Sequence, residues 1–288
     1  MKLYIMVALC AMMAVAACNS TKPVTTQNKI TPTDKLLGKK PVSALEKAPF
    51  NEWYSKEYNG YTPDTATIEL LKPLLASKQI TVFLGTWCGD SRREVPRFIH
   101  VLTAAGFPEK RLTIITVDNT AEAYKQSPGH EEAGLNIFRV PTFVVNSNGK
   151  EAGRIIEAPV QSLEKDLLAI VQGTAYTPRY AAGQYFMDRL PHSPLGQFNF
   201  PAGLKTSGAS ELNSIGLLLK AAGKPDQAMV AFRTNAVHYP QDAAILASLA
   251  SGNLAVKDTG SARANLLRAL ELDPANEAAL KLQAIIGK

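Results

Sequence analysis

Two short apolar runs in the first half of the chain predict buried strands. One lies in Gln79–Trp87, and the other is Leu112–Val117. Runs of this length that are rich in β-branched residues are typical of strands covered on both faces. Between them, a helix is predicted to begin at Cys88 and to extend toward Ala105. A stretch of helical spacing over residues 65–77 precedes the first strand.

The segment that follows predicts a hairpin and a closing helix. Over residues 141–156, two apolar segments flank the pair Asn148-Gly149, which favours the tight turn of a β-hairpin. Ser162 is placed to cap the closing helix. Mixed strands in one central sheet, with helices on both faces, give a three-layer α/β domain. We expect this domain to span residues 48–172.

The pattern beyond Gly208 is helical throughout, and it repeats after 34 residues, the period of tetratricopeptide repeats. Small residues at the repeated positions let paired helices approach closely, and prolines end each second helix. The repeated positions are Leu212, Gly216, Ala228, Phe232 and Pro240, which return as Leu246, Ala250, Ala262, Leu266 and Pro274. The segment resembles tetratricopeptide repeats, with Asn276–Ile286 as a capping helix. We expect a small all-α helical-repeat domain over residues 208–288, after a connector at 173–207.

The first residues have the pattern of a bacterial export signal. A basic start at Lys2 precedes an apolar run too short to span a bilayer comfortably. Its end, Val15-Ala16-Ala17-Cys18, resembles the bacterial lipobox; an ordinary signal peptide cut near Ala17 is the alternative. Residues 1–18 are then a lipoprotein signal peptide, and residues 19–47 are a lysine-rich tether.

A lipid on Cys18 would anchor the protein to a membrane of the bacterial cell envelope. Asn19 stands where an aspartate commonly retains such proteins at the inner membrane. The outer membrane is therefore favoured, with the protein facing the periplasm.

Net charge, histidine spacing and cysteine usage limit the kinds of partner and site that the sequence can have. The formal net charge of +6 is too small to predict a nucleic-acid partner, and the four histidines are too scattered to predict a metal site. Once Cys10 leaves with the signal and Cys18 is acylated, Cys88 is the single thiol and has no partner for an intramolecular disulfide. It is either buried and inert or kept for chemistry with another molecule.

The position of Cys88 favours an ionised thiol. At the first turn of a helix, unpaired backbone N–H groups and the helix dipole stabilise an anion. Arg92 and Arg93 add positive charge in the next turn. The alternative is an inert cysteine packed under Trp87.

The residues around Cys88 resemble the thioredoxin family. The resemblance covers about residues 65–171 and implies a thioredoxin-like fold, in which Pro141 is cis and packs against the Cys88 sulfur. The backbone of Val140 is then free to pair with an extended peptide of a partner protein. Without the cysteine motif, Pro141 would be interpreted as a trans proline at the start of a strand. The motifs are Trp87-Cys88-Gly89-Asp90-Ser91, Pro96, Ser127-Pro128-Gly129, Val140-Pro141-Thr142 and Asn148-Gly149.

The resemblance also implies a set of site residues, with three departures from the family pattern. The family's second cysteine is Ser91 here, and a hydroxyl cannot perform thiol exchange, although it can donate a hydrogen bond to the Cys88 thiolate. The family's buried acid falls at Val82. Glu157 lies in a loop that usually carries glycine, where a carboxylate would disfavour the thiolate or orient a ligand. The candidates are Cys88, Ser91 and Pro141 as catalytic residues, Trp87, Gly89, Asp90, Val140 and Thr142 as contacts for the partner peptide, and Arg92 and Glu157 as modulators.

Two functions follow from these patterns. In the first, Cys88 attacks a disulfide or oxidised thiol of a partner protein, and an external thiol regenerates it, as in monothiol reduction or isomerisation. In the second, the protein is a redox-inactive adaptor that uses the thioredoxin groove for an extended peptide and the repeats for another protein. Neither function requires a cofactor.

Overall fold

The computed structural model describes residues 35–193, 198, 200–201 and 203–286. The predicted signal peptide, the lipobox with Cys18 and most of the tether lie outside the described residues. None of the helices in the described ranges is both long enough and apolar enough to span a bilayer.

A five-stranded mixed sheet forms the centre of the first domain. Its order is β1-β3-β2-β4-β5, in which β2 and β3 are parallel and every other neighbouring pair is antiparallel. The predicted strands and the hairpin turn at Asn148-Gly149 are present. The strands are β1 Gly38–Lys40, β2 Lys78–Leu84, β3 Leu112–Thr116, β4 Thr142–Ser147 and β5 Lys150–Ile156.

The strand β1 corrects the expected boundary of the tether. Gly38 pairs with Thr116 of β3, and the Thr116 hydroxyl donates to the Gly38 carbonyl oxygen at 2.9 Å. Further along, Leu45 is fully buried in the core of the domain. The tether therefore ends before Gly38 and not at Lys47, because Leu36, Val42 and Leu45 of this lysine-rich segment pack into the core of the domain.

Four helices pack together on one face of the sheet. Ser162 caps the last of them, since its hydroxyl oxygen accepts a hydrogen bond from the Lys165 backbone N–H at 3.3 Å, as predicted. All four contribute side chains to one buried cluster with inward-facing residues of the strands. These helices are α1 Asn51–Gly60, α2 Thr65–Leu75, α3 Gly89–Ala104 and α4 Leu163–Gln172.

The opposite face of the sheet is covered by the irregular segment 118–141 and by helices from beyond residue 172. Phe83, Ile115 and Val144 point to this face and pack with Val140 and Trp87. Next to them, Phe138 and Ile156 share a buried cluster with side chains of the C-terminal helices. Helices therefore lie on both faces, but those of the second face come from the predicted connector and the helical region.

The second half of the described chain is helical. The helices repeat in position: α6 begins at Ala209 and α8 at Ala243, while α7 begins at Pro225 and α9 at Thr259, a shift of 34 residues in each case. The predicted close approach is also present, because a Cβ atom at Gly216 would lie 2.3 Å from the Phe232 ring. The helices are α5 Ala181–Arg189, α6 Ala209–Ala221, α7 Pro225–His238, α8 Ala243–Ala255, α9 Thr259–Leu272 and α10 Glu277–Ile286.

Candidate thiol site around Cys88

Cys88 lies at the N-terminal end of α3, one residue before its first helical position. Its backbone N–H donates to the Gly85 carbonyl oxygen at 2.9 Å, and its carbonyl oxygen accepts from the Arg92 N–H at 3.0 Å. The Cys88 side chain makes no capping hydrogen bond and is partly exposed. The sulfur is therefore reachable from solvent and close to the unpaired N–H groups of the first helical turn, which favour an anion.

The cis proline loop lies directly against the sulfur. The Val140–Pro141 peptide is cis, as the resemblance implied, and the Cys88 Sγ atom lies 3.3 Å from the Val140 carbonyl oxygen. The Glu157 N–H donates to the Pro141 carbonyl oxygen at 2.7 Å, which joins the loop to the end of β5. The thiol and the backbone of residues 140–141 are thus in direct contact.

Two of the residues expected to contact a partner peptide have their side chains inside the protein. Val140 and Thr142 are each 2% exposed, and the Thr142 hydroxyl donates to the Arg139 carbonyl oxygen at 2.7 Å. These fractions include the backbone, so both residues are almost entirely covered in this structure. Trp87 is half-buried, and its indole N–H donates to the Val117 carbonyl oxygen at 2.9 Å. This bond fixes the Cys88 turn beside the end of β3.

Ser91 is buried beneath the thiol. It is 0% exposed, and its hydroxyl oxygen accepts a hydrogen bond from the Gly85 backbone N–H at 3.2 Å. Within the described ranges, no hydrogen bond joins Ser91 to the Cys88 sulfur, so the expected donation to the thiolate is not present. Ser91 instead holds the turn that leads into the helix.

The polar residues of the first turns of α3 have different partners. Arg93 forms ion pairs with Asp90 at 2.7 Å and with Glu94 at 2.6 Å, so these carboxylates compensate its charge. Arg92 donates from Nε to the Thr86 carbonyl oxygen at 2.7 Å. Partial burial lowers the pKa of Arg92, whereas the neighbouring Cys88 raises it. Arg92 is therefore a cation whose charge acts on Cys88.

Gly89, the first residue of α3, has open space around the position that a Cβ atom would take. Its small size leaves the approach to the sulfur uncovered on that side.

Glu157 is bound in a network that sequence reasoning did not anticipate. One of its carboxylate oxygens accepts from the Arg139 guanidinium at 3.1 Å, and the other accepts from the Tyr180 hydroxyl. Arg139 also donates to the Ser210 hydroxyl of α6 at 2.7 Å, and its guanidinium lies 4.5 Å from the centre of the Tyr180 ring. Glu157 therefore fixes Arg139 between the two domains. Arg139 lies two residues before Pro141, and this position next to the proline motif is the feature of the sequence that could have marked it as a site residue.

A buried lysine in the segment after β3 was also missed from the sequence. Lys125 is 4% exposed, and its ammonium nitrogen lies 3.6 Å from the centre of the Tyr124 ring. Burial, and then the charge of Arg139, lower the pKa of Lys125 to about 7, while Cys88 and Glu157 act in the opposite direction. Burial raises the pKa of Tyr124. Lys125 lies between a buried strand and the proline motif. Nothing in the sequence around it distinguishes it from a solvent-exposed lysine.

Comparison with known proteins agrees with this architecture at the level of the first domain. No protein-family model matches the chain. A curated relative is thioredoxin-3, mitochondrial, of Saccharomyces cerevisiae, which is 25% identical over 134 residues, or 46% of this chain and 98% of that protein. This distant similarity and the mixed sheet fit a thioredoxin-like domain in the first half of the chain. This similarity, with the mixed sheet and its flanking helices, supports a redox-type function for the thioredoxin-like domain and does not extend to half of the chain.

Proposed function

We propose that this protein is a membrane-anchored, thioredoxin-like protein of the bacterial envelope that uses a single thiol, Cys88, to exchange with disulfides of partner proteins. The observation that carries the proposal is the position of Sγ. It is partly exposed at a helix N-terminus and lies 3.3 Å from the carbonyl oxygen that precedes the cis proline. A cysteine in this place is partly accessible, and it lies beside the cis proline loop, which in the thioredoxin family meets the extended peptide of a partner.

The exchange step needs one nucleophile. The Cys88 thiolate attacks one sulfur of a partner disulfide, the partner S–S bond breaks, and a mixed disulfide to Cys88 forms. The second partner sulfur leaves as a thiolate and takes a proton from solvent. Because Ser91 cannot attack the mixed disulfide, external thiols must do so. A first external thiol attacks the Cys88 sulfur, releases the reduced partner and forms a disulfide with Cys88; a second attacks that disulfide, which returns Cys88 to its reduced form and leaves the two external thiols joined as a disulfide. In isomerisation, a thiol of the partner itself attacks the mixed disulfide and releases reduced Cys88.

The test is the lifetime of the mixed disulfide. The full chain is prepared with Cys10→Ser and Cys18→Ser, so that Cys88 is the single thiol, and is mixed with a peptide that contains one disulfide. We expect a mixed disulfide that persists until glutathione is added and that is absent in Cys88→Ala. In Ser91→Cys, it should be short-lived because the new thiol releases the peptide. If no mixed disulfide forms while the Cys88 thiol remains reduced and titratable, the redox proposal fails.

A redox-inactive adaptor is the second candidate, and the repeated helices favour it. Helix bounds shifted by 34 residues and the contact between Gly216 and Phe232 support tetratricopeptide repeats, which commonly bind proteins. For an adaptor, a partner captured from envelope extract should bind Cys88→Ala as strongly as the unmodified chain. A partner that is lost with Cys88 supports the thiol chemistry instead.

The envelope location rests on the pattern at Cys18. Metabolic labelling with palmitate should mark the protein, and Cys18→Ala should remove the label and release the protein from the membrane fraction. Labelling that survives Cys18→Ala would reject this anchor.

A further inference from the structure

A cavity of about 530 Å³ lies in the first domain, away from the thiol. Helix α1, the C-terminal half of α3 and the segments 42–46 and 107–112 enclose it. Ile99 of α3 borders the cavity and lies eleven residues after Cys88, which is about 16 Å along the helix axis. The volume is in the range of sites that bind small molecules.

The inner wall of the cavity is apolar and aromatic. Ile99 and Leu102 line it and are 6% and 2% exposed. The rings of Tyr54 and Tyr58 stack with their centres 5.8 Å apart, and the Tyr58 ring stacks on His100 at 4.4 Å. Nδ1 of His100 lies 2.8 Å from the Tyr58 carbonyl oxygen, which holds this stack in place. The wall therefore suits the apolar stem of a ligand.

Tyr54 carries a hydroxyl group without a protein partner. The residue is 5% exposed and lines the cavity. Within the described residues, its hydroxyl takes part in no hydrogen bond and is not sealed from solvent, so the small exposed part of Tyr54 opens to the cavity. Burial raises the pKa of Tyr54, and the charge of Glu46 raises it further, so the group stays protonated. A polar group this deeply buried favours a ligand that supplies the missing hydrogen bond.

The charged residues of the cavity wall are both acidic. Glu46 and Glu109 line the cavity at its exposed edge, and none of its lining residues is a lysine, arginine or histidine. Across the part of the chain that the structure describes, neither carboxylate belongs to an ion pair. The cavity therefore attracts a positively charged group.

The basic residues next to these glutamates have other positions. Lys39, Lys40 and Lys110 line a separate depression, which shares Glu109 with the cavity. Arg111 donates to the backbone at the C-terminal end of α2, and Lys47 is exposed outside the cavity. None of these cations fills the place that a bound ligand would take.

We propose that this cavity binds a small organic cation with an apolar stem, of the class of linear diamines and guanidino-amines. The carboxylates of Glu46 and Glu109 accept hydrogen bonds from its cationic groups, and the Tyr54 hydroxyl oxygen accepts another. The stem packs on the Tyr58 ring. Lysine and arginine side chains of a peptide carry the same chemistry, so both sources are tested. The site does not involve Cys88 and goes beyond the proposed function.

The test is isothermal titration calorimetry with the full chain. Putrescine and agmatine represent the free cations, acetyl-Gly-Lys-Gly-amide represents a basic side chain, and butanediol is the neutral analogue of putrescine. The variants are Glu46→Gln, Glu109→Gln and Tyr54→Phe. Glu52→Gln is the matched control, because Glu52 is an exposed glutamate of α1 that does not line the cavity.

We expect putrescine and agmatine to bind and butanediol not to bind. Each of Glu46→Gln and Glu109→Gln should weaken binding by about tenfold, because hydrogen bonds between charged groups are the stronger class. Tyr54→Phe should weaken it by about fivefold through loss of one neutral acceptor, and Glu52→Gln should match the unmodified chain.

Absence of binding by all three cations would overturn the proposal. Equal binding of butanediol and putrescine, or equal weakening by Glu52→Gln and Glu46→Gln, would overturn it as well. Tighter binding of the peptide than of putrescine would assign the site to a basic side chain of another protein, and the reverse order would assign it to a free amine. The exchange reaction of Cys88 can fail without changing any of these results.

Discussion

Removing the charge of Lys125 should stabilise the thioredoxin-like domain, and the gain should depend on pH. The pKa of this buried lysine is about 7 in the folded chain, against an ordinary value of 10.5. Folding therefore opposes the charged form, at a cost on the order of 5 kcal/mol if the shift is converted directly. The contact of the ammonium group with the Tyr124 ring offsets about 1–2 kcal/mol of this cost. Lys125→Met should thus gain about 3 kcal/mol below pH 7.

The sign of the pH dependence follows from proton binding. Between pH 7 and pH 10.5 the unfolded chain keeps the proton of Lys125, while the folded chain releases it. The cost of the lysine is therefore complete below pH 7 and disappears as the pH rises toward 10.5. As the pH rises above 7, the advantage of Lys125→Met should shrink by about a factor of ten in the unfolding equilibrium constant per pH unit, so that a gain of about 3 kcal/mol is lost by about pH 9.

Urea unfolding at pH 6 and pH 9 measures both quantities. Trp53 and Trp87, the two tryptophans of the chain, lie in the first domain, so their fluorescence reports its unfolding. Lys150→Met serves as the exposed control and should change stability by less than about 0.5 kcal/mol. If Lys125→Met is no more stable at pH 6, or if its advantage is the same at pH 9, then Lys125 is not a dry cation and the reasoning fails.

Three further changes test the packing. Gly216→Ala should destabilise the helical region by about 1–3 kcal/mol in thermal unfolding, because its Cβ would lie 2.3 Å from the Phe232 ring. The control Gly260→Ala should not destabilise it, because no heavy atom lies nearer than 3.9 Å to the Cβ position. Equal effects of the two substitutions would contradict this account. Arg139→Ala should cost about 3 kcal/mol and separate the unfolding of the two domains, and a single unchanged transition would refute its bridging role. Asp242→Ala should cost about 1 kcal/mol through loss of the N-cap of α8, and unchanged urea unfolding would argue against the cap.

The regular elements were largely predictable because their side chains follow simple periods. The two apolar runs became β2 and β3, the Asn148-Gly149 pair became a hairpin turn, and the 34-residue shift placed the helices of the second half. Two elements were not predicted. In α1 only Tyr54 is buried, so its sequence has little apolar periodicity, and β1 is three residues long within a lysine-rich segment.

The parts of the candidate site that belong to a sequence motif were predictable. The parts that depend on contacts between distant segments of the chain were not. Local sequence places Cys88 at a helix start, and the family resemblance places Pro141 beside it; the 3.3 Å approach of the sulfur to Val140 agrees with both. The partners of Glu157 could not be read from its neighbours, because Tyr180 and Arg139 reach it across the fold.

The sequence alone determined that position 91 is a serine, so that Cys88 has no second cysteine three residues further on, and that the other two cysteines lie in the first 18 residues. It also indicated β2, β3, the hairpin of β4 and β5 and the 34-residue repeat of the second half, because backbone periodicity is a local property, but it did not indicate β1 or α1. Only the tertiary structure decided that Lys125 is buried and that α5 and α6 cover the second face of the sheet. Burial and charge balance depend on which segments meet in space. The order of residues along the chain does not by itself give the distances between those segments.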